Sequence, residues 1–286
     1  MQQKGVTGII SLKEEVFKCC LNNLEEQSSL DWFKEKVQKL ETNSSFFLAF
    51  GMVKRKVENG SVIISQGLKS KLQSINPAFS EEDWDLISFC RLAFLLQLNS
   101  PDNKEKIETL LASADIKEQV IIYRALQYLE NAEDFKLNII DGIRTNMIDV
   151  FDAIALENNY AFTYFSEDAW NHMVLKAIFM ERPIYRIHGI DQRKNEKLAG
   201  ILQDFVHERW AAGRVVTPEL WRMISGFTTE SIIEDLKKAV LNDTDLGKAA
   251  AQKVLENAGQ NDWIKSQGLE PVKLTWEEIG KEIWEA

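Results

Sequence analysis

The sequence predicts an all-α protein, and three observations support this prediction. Apolar residues recur at the three- and four-residue spacing of helices along most of the 286 residues. Helix-capping residues precede several of these segments. The run SVIIS at 61–65 is the best strand candidate, and it has no partner strand in the sequence. We therefore expect helices packed on helices, without a sheet.

An internal repeat predicts how the helices are arranged. Residues 107–132 and 233–258 share identical residues 126 positions apart without a gap, and both copies end in LENA. Each copy has the pattern of a helical hairpin, and repeated hairpins are typical of stacked solenoids. The predicted fold is therefore a right-handed α-solenoid of HEAT- or armadillo-like hairpins with an N-terminal helical bundle.

A break in the helical pattern predicts the domain organisation. Residues 1–98 form an N-terminal helical region, in which the segment 84–98 is apolar around nearly its whole circumference and should be buried on several sides. The sequence NSPDN at 99–103 interrupts the pattern. Residues 99–286 should form the solenoid, which packs against the first region in one elongated domain.

Spacing, caps and breakers predict the individual helices. In the N-terminal region, helical spacing is found at 12–24, 30–40 and 44–57. The SEED capping box at 80–83 predicts the start of the helix at 84–98.

The later helices follow in the same way. A long helix is expected over 137–155, and Asp191 is expected to cap a helix that Gly213 ends. Three further helix starts are predicted at Ser166, at Thr217-Pro218 and at Thr275. The last of them begins a helix at 276–284, whose tryptophans should pack on the rest of the protein.

Charge and composition limit the partners. With 44 acidic and 34 basic residues, the formal net charge is −10, which repels phosphate backbones and makes nucleic acid an unexpected partner. The most apolar stretch, 86–98, is too short to span a bilayer and contains Arg91. The amino terminus lacks a signal pattern, and the three cysteines fit no disulfide or CxxC pattern. We expect a cytoplasmic protein without membrane insertion.

The stretch 144–222 contains the candidate site. On helical wheels at about 100° per residue, Arg144, Asn171 and Arg209 fall within the apolar stripes of three successive helices, and Glu208 lies at the edge of the third stripe. A buried charge or amide is costly without a partner. Each of these residues should therefore have a specific partner.

Two hypotheses explain these polar positions. In the first, they form an internal ion-pair network, for instance Glu208 with Arg144 or Arg209. In the second, Arg144 and Arg209 bind an anionic or polar small molecule, Asn171 orients it, and a tryptophan such as Trp170 covers it. The residues alone leave both hypotheses open.

Four side chains with metal-ligating groups complete the set of candidate ligand-binding residues: His188, Asp191, His207 and Glu208. Their spacing matches no standard metal motif, and HERWA lacks the second histidine of HExxH. We therefore expect no metal and no other cofactor, assign no catalytic residue, and favour a non-enzymatic protein. A metal-assisted enzyme acting on a small metabolite is the alternative.

Two short sequence motifs in this stretch resemble those of a known protein family. The sequences WNHMVLKA at 170–177 and HERWAAGR at 207–214 are the most specific parts of a region, 144–222, that resembles the EboA family of metabolite-traffic proteins. The resemblance fades toward both ends of the chain and assigns no site residue.

The resemblance implies a role in moving or processing a secondary metabolite or its precursor. The family is encoded in bacterial gene clusters together with a prenyltransferase-like membrane protein and sugar- or cyclitol-handling enzymes. The implied partners are a small metabolite, a protein from the same gene cluster, or both. A pure protein–protein scaffold, which binds no metabolite, is a further alternative.

Overall fold

A computed structural model describes the backbone of residues 2–40, 42–99 and 102–285 and the side chains of 12–40, 42–99 and 102–285. Within these ranges there are helices and no strands, so the all-α prediction is confirmed. The segment 61–65 contributes a single β-bridge, between Ser61 and Asp85. Over the same ranges, no helix combines the length and apolar character that a bilayer span requires.

The chain forms two compact units, Met1–Phe165 and Ser166–Ala286. The boundary predicted after residue 98 falls inside the first unit, and that division of the chain stays a prediction. The first unit contains α1 (Gln2–Asn23), α2 (Gln27–Gln38), α3 (Asn43–Lys56), α4 (Gln66–Ile75), α5 (Leu86–Leu95), α6 (Asn103–Ser113), α7 (Ile116–Ala125), α8 (Lys136–Gly142), α9 (Ile148–Ala155) and α10 (Tyr160–Tyr164).

Helix α5 lies at the core of the first unit, since all ten of its residues are buried. Its one charged residue, Arg91, donates to Glu118 at 2.7 Å. The predicted start of this helix at the SEED box is wrong. Residues 81–83 form a separate 3-10 turn, in which Arg124 donates to the Asp83 carbonyl at 2.5 Å and to the Asp83 carboxylate at 2.8 Å. The cap of α5 is Asp85, whose carboxylate accepts from the Ser88 N–H.

The long helix predicted over 137–155 is also wrong, because the chain breaks it into α8 and α9. Between them, the Thr145 hydroxyl accepts from the Met147 N–H at 3.1 Å, a local bond that competes with helix continuation. Arg144 lies in this break. Its side chain is 69% exposed and pairs with Asp141 at 3.3 Å, so its predicted place in an apolar stripe is wrong.

Both copies of the sequence repeat are helical hairpins. In the first unit, residues 114 and 115 connect α6 to α7, and Asp115 caps α7 in a capping box with Glu118. In the second unit, residues 243 and 244 connect α14 (Glu230–Asn242) to α15 (Asp245–Asn257), and Thr244 caps α15. The hairpins are thus observed, whereas their stacking into a solenoid stays a prediction.

The second unit is built from seven helices within its described residues. Besides α14 and α15, they are α11 (Glu167–Phe179), α12 (Glu196–Ala211), α13 (Pro218–Ile224), α16 (Asn261–Ser266) and α17 (Trp276–Trp284). The predicted starts are confirmed: Ser166 caps α11, Pro218 occupies the first turn of α13, and Thr275 forms a capping box with Glu278.

The predicted end of α12 is confirmed and its predicted start is wrong. Gly213 has a φ of +65°, a conformation that favours glycine after a helix. At the other end, Asn195 is the cap, and its side-chain oxygen accepts from the Leu198 N–H at 2.9 Å. Asp191 lies four residues earlier, in a loop, where its carboxylate accepts hydrogen bonds from Arg222.

Gly142 of α8 provides a test of how tightly α8 packs against α7 and α9. A Cβ at Gly142 would lie 2.6 Å from Ile154 and 2.7 Å from Tyr123, whereas a Cβ at Gly200 in α12 meets no atom within 4 Å. We expect Gly142→Ala to lower the free energy of unfolding by about 1–3 kcal/mol through overpacking. Gly200→Ala should raise it by about 0.5–1 kcal/mol through helix propensity. Urea unfolding followed by circular dichroism measures both, and equal stability of Gly142→Ala and the wild type would contradict the packing.

Candidate functional site

A surface groove of about 400 Å³ lies within the second unit. This volume is within the usual range for small-molecule sites. Its apolar lining comes from Ile178, Phe205, Val215, Val216, Leu246 and Ile283, with Pro218 and Trp284 beside them. The polar lining comes from Glu181, Arg209, Thr217 and Thr244. The groove is therefore mostly apolar, with a few polar groups at defined positions.

The segment after α12 forms one wall of the groove. The positive φ of Gly213 ends the helix and redirects the chain. Of the two valines that follow, Val216 is buried, whereas Val215 is 64% exposed. Arg209 fixes this segment, because its Nε and Nη2 atoms donate to the Val215 carbonyl at 2.9 and 2.8 Å.

Arg209 is the one basic side chain in the described groove lining. Its side chain is 24% exposed, and its nearest acidic neighbour is Glu181, at 4.0 Å from Nη2. Among the described residues, no oxygen accepts a hydrogen bond from its Nη1 atom. Arg209 can therefore hold the protein backbone and still donate to a ligand.

Helix α17 forms another wall of the groove with Ile283 and Trp284. The indole N–H of Trp284 donates to Glu219 Oε2 at 2.7 Å. This contact confirms that a tryptophan of the last helix packs on the rest of the protein.

Behind this wall, α13 contains two buried charged residues, Glu219 and Arg222, which are 1% and 2% exposed. Glu219 Oε1 accepts from the Tyr185 N–H at 2.7 Å. Burial raises the pKa of the Glu219 carboxyl above its ordinary value, even though the Trp284 and Tyr185 donors favour the ionised form.

Arg222 binds two carboxylates. Its Nε and Nη2 atoms donate to the two oxygens of Asp191 at 3.1 and 2.5 Å, and Nη2 also donates to Glu277 at 2.7 Å. Lys194 lies 3.4 Å from the same Asp191 carboxylate. Burial alone would raise the pKa of Asp191, but the hydrogen bond and charge of Arg222 lower it below the ordinary value. Asp191 thus takes part in an internal ion pair and does not cap a helix.

The structure places Asn171 and Trp170 in the core, as the sequence predicts. The Asn171 and Asn195 amides bond to each other in both directions, at 3.1 and 2.8 Å. The Arg193 guanidinium lies over the Trp170 ring, 4.7 Å from its centroid. The partner that Asn171 requires is therefore another side chain, and neither residue lines the groove.

The predicted ion pair of Glu208 with Arg144 or Arg209 is wrong. Glu208 is exposed, and the two arginines pair with other acids, Asp141 and Glu181. Arg144 belongs to the first unit and Arg209 to the second. Of the predicted site residues, Arg209 alone lines the groove.

The two candidate histidines, His188 and His207, have separate surroundings. His207 is exposed, and its Nε2 atom lies 2.8 Å from Asp235 Oδ2. Burial lowers the pKa of His188 below its ordinary value. Among the described side chains, no three His, Cys, Asp or Glu residues are grouped so that they could hold a metal ion. His188, Asp191, His207 and Glu208 therefore do not form the set of ligands that the metal hypothesis requires.

Glu219, Arg222 and Trp284 are not among the site residues predicted from the sequence. A signal was present in PELWRMI at 218–224, where an acidic and a basic residue stand three positions apart in an otherwise apolar helix. Residues at that spacing share one face, and in the structure both side chains are buried. Their partners lie far away in the sequence, at 185, 191, 277 and 284.

Comparison with protein families gives a match. A family model described as "Metabolite traffic protein EboA" matches residues 13–225, which is more than half of the chain. The chain belongs to the EboA family. This confirms the resemblance seen in the sequence, and the EboA match includes Arg209, Glu219 and Arg222. No curated protein and no solved structure matches the chain.

The Arg222 ion pair predicts a pH-dependent stability. Because the folded-state pKa of Asp191 is lowered, its stabilising contribution is present above the ordinary carboxyl pKa and is lost as the pH falls through the folded value. At pH 7, Arg222→Met should lower the free energy of unfolding by about 1.5–3 kcal/mol. The difference from the wild type should shrink below about pH 4. Denaturant unfolding at pH 7 and pH 3 measures this.

The exposed Arg144–Asp141 pair provides the matched control for that experiment. Arg144→Met should change the free energy of unfolding by about 0.5 kcal/mol or less at either pH. If Arg222→Met lowers the free energy of unfolding by the same amount at both pH values, the loss comes from packing and not from the ion pair.

Proposed function

We propose that this EboA-family protein binds a small amphiphilic metabolite in the groove of its second unit and passes it on without changing it. The observation that carries the proposal is the groove lining: apolar side chains surround one guanidinium, that of Arg209, which has an unused donor. The family description, metabolite traffic, agrees with a binding role.

The lining indicates the chemistry of the ligand. Apolar walls favour a hydrocarbon or aromatic body, since its burial is driven by the hydrophobic effect. The free Nη1 donor of Arg209 favours an anionic or hydroxyl group on that body. Glu181, at 4.0 Å from Arg209, repels a second negative charge, so we expect a ligand with one acidic group rather than several.

Exposed apolar side chains beside the groove favour a protein partner as well. Phe179 is 72% exposed, and its ring packs at 6.5 Å from that of Phe205, which lines the groove. Together with the exposed Val215, it offers a surface on which a protein from the same gene cluster could dock. A scaffold that binds only such a partner is the alternative function.

We retain the solenoid and the cytoplasmic location as parts of this proposal. The two hairpins with two-residue connections, α6–α7 and α14–α15, support the stacking of repeats. The acidic composition and the three free buried cysteines are compatible with a reducing compartment.

Two fluorescent probes of similar shape test the proposal. Anilinonaphthalene sulfonate has an aromatic body and one negative charge, whereas phenylnaphthylamine is neutral. We expect both to bind to the wild type with enhanced fluorescence. Arg209→Met should weaken the binding of the sulfonate by about tenfold, the loss of one charge-assisted hydrogen bond. Because Arg209 also holds the Val215 carbonyl, the affinity for the neutral probe measures any change in the wall, and the loss of sulfonate affinity should exceed the loss of neutral-probe affinity by about tenfold.

Arg144→Met is the control, since it removes the same charge from an exposed position in the other unit. It should leave the affinities for both probes unchanged. Failure of both probes to bind to the wild type, or an equal loss of sulfonate affinity in the two variants, would contradict the groove as the binding site.

A further inference from the structure

The last helix of the described chain is a wall of the groove and is held by polar contacts. Ile283 and Trp284 of α17 line the groove, while Ile279 of the same helix is fully buried. The position of this one helix therefore affects the space in the groove. What fixes the helix also fixes the space for a ligand.

Contacts along α17 fix it at its start, middle and end. At the start, Arg222 donates to Glu277 at 2.7 Å. In the middle, Gly280 packs on Tyr185 so closely that a Cβ would lie 2.5 Å from the ring. Just after the end, the Tyr185 hydroxyl donates to Glu285 at 2.6 Å.

Glu219 connects Tyr185 to the groove, because it also accepts a hydrogen bond from Trp284, which lines the groove. Its two carboxylate oxygens accept one N–H each, from Trp284 and from the Tyr185 backbone, both at 2.7 Å. At 1% exposure, the carboxylate has no access to water as a replacement partner. Loss of the Trp284 or the Tyr185 donor leaves a buried carboxylate oxygen unsatisfied. The three residues Glu219, Trp284 and Tyr185 therefore have one favourable relative geometry.

We propose that Glu219 is a positioning residue for the ligand: by holding the Trp284 indole, it sets the space in the groove and so the size of the metabolite that is accepted. The inference rests on the proposed function, because it concerns the same groove. Glu219 does not itself line the groove and acts through Trp284.

Two variants separate this role from general destabilisation. Trp284→Phe keeps an aromatic side chain in the wall and removes the N–H donor. Because its smaller ring also enlarges the groove directly, its preferred ligand size is compared with that of Glu219→Gln. Glu219→Gln keeps the size of the side chain but places an amide N–H₂ where one of the two donors needs an acceptor. Trp276→Phe is the matched control, since Trp276 lies on the same helix outside the groove lining.

Two measurements are made on each full-length variant. Amide hydrogen exchange of residues 276–285 reports the attachment of α17 without any ligand. Competition of straight-chain carboxylates of increasing length against anilinonaphthalene sulfonate reports the accepted size. We expect exchange to rise about tenfold in Trp284→Phe and Glu219→Gln, the loss of one buried hydrogen bond. The best-competing chain should become longer in both, and Trp276→Phe should match the wild type.

The outcomes are distinguishable. Unchanged exchange and an unchanged preferred chain length in Trp284→Phe would overturn the inference while the groove remains a binding site. Faster exchange with the same preferred length would also overturn it, because Glu219 would then hold the helix without setting the size. If the wild type binds neither the sulfonate nor any carboxylate, the proposed function falls, and this inference falls with it. If Glu219→Gln loses its structure globally, as seen by circular dichroism, the hydrogen exchange of Trp284→Phe decides, because that exchange does not depend on the smaller volume of phenylalanine.

Discussion

Glu219 and Arg222 lie one helical turn apart on α13 with almost no exposure to solvent, and much of the second unit supplies their partners. The loop before α12 provides Asp191, the turn at 184–186 provides the Tyr185 N–H, and α17 provides Glu277 and Trp284. Buried charges are costly unless they are paired and hydrogen-bonded. These segments are therefore constrained to fixed positions around one short helix. The groove is the space left between α11, α12, the segment 215–218, the start of α15 and α17.

The groove has a mostly apolar surface, and hydrogen bonds and ion pairs hold the segments that form its walls. Arg209 illustrates the combination, since two of its donors hold the Val215 carbonyl while a third has no acceptor in the described protein. A protein that moves a metabolite must bind it and also release it. An apolar site with one charge-assisted contact suits moderate affinity, because most of the free energy comes from nonspecific burial. Under the proposed function, exposed Phe179 and Val215 beside the groove are where a receiving protein would approach.

Much of the fold could be predicted from the sequence, because helix periodicity and caps are local. Ser166, Gly213 and Thr275 were assigned correctly for this reason. Arg144 was misplaced because a helical wheel assumes a continuous helix, and Thr145 breaks it. Asn171 was correctly predicted to be buried, but its partner, Asn195, is 24 residues away and was not foreseen. The groove wall depends on contacts such as Glu219 with Trp284, 65 residues apart, which no local pattern contains.

The most direct test of the account is methyl nuclear magnetic resonance during titration with anilinonaphthalene sulfonate. The predicted result is saturable shifts of the methyl signals of Ile178, Val215, Val216, Leu246 and Ile283, which line the groove. The exposed methyls of Leu48 and Ile63 in the first unit should not move. Saturable shifts confined to the first unit, or no saturable shift at the groove methyls, would contradict the claim that this groove binds the metabolite.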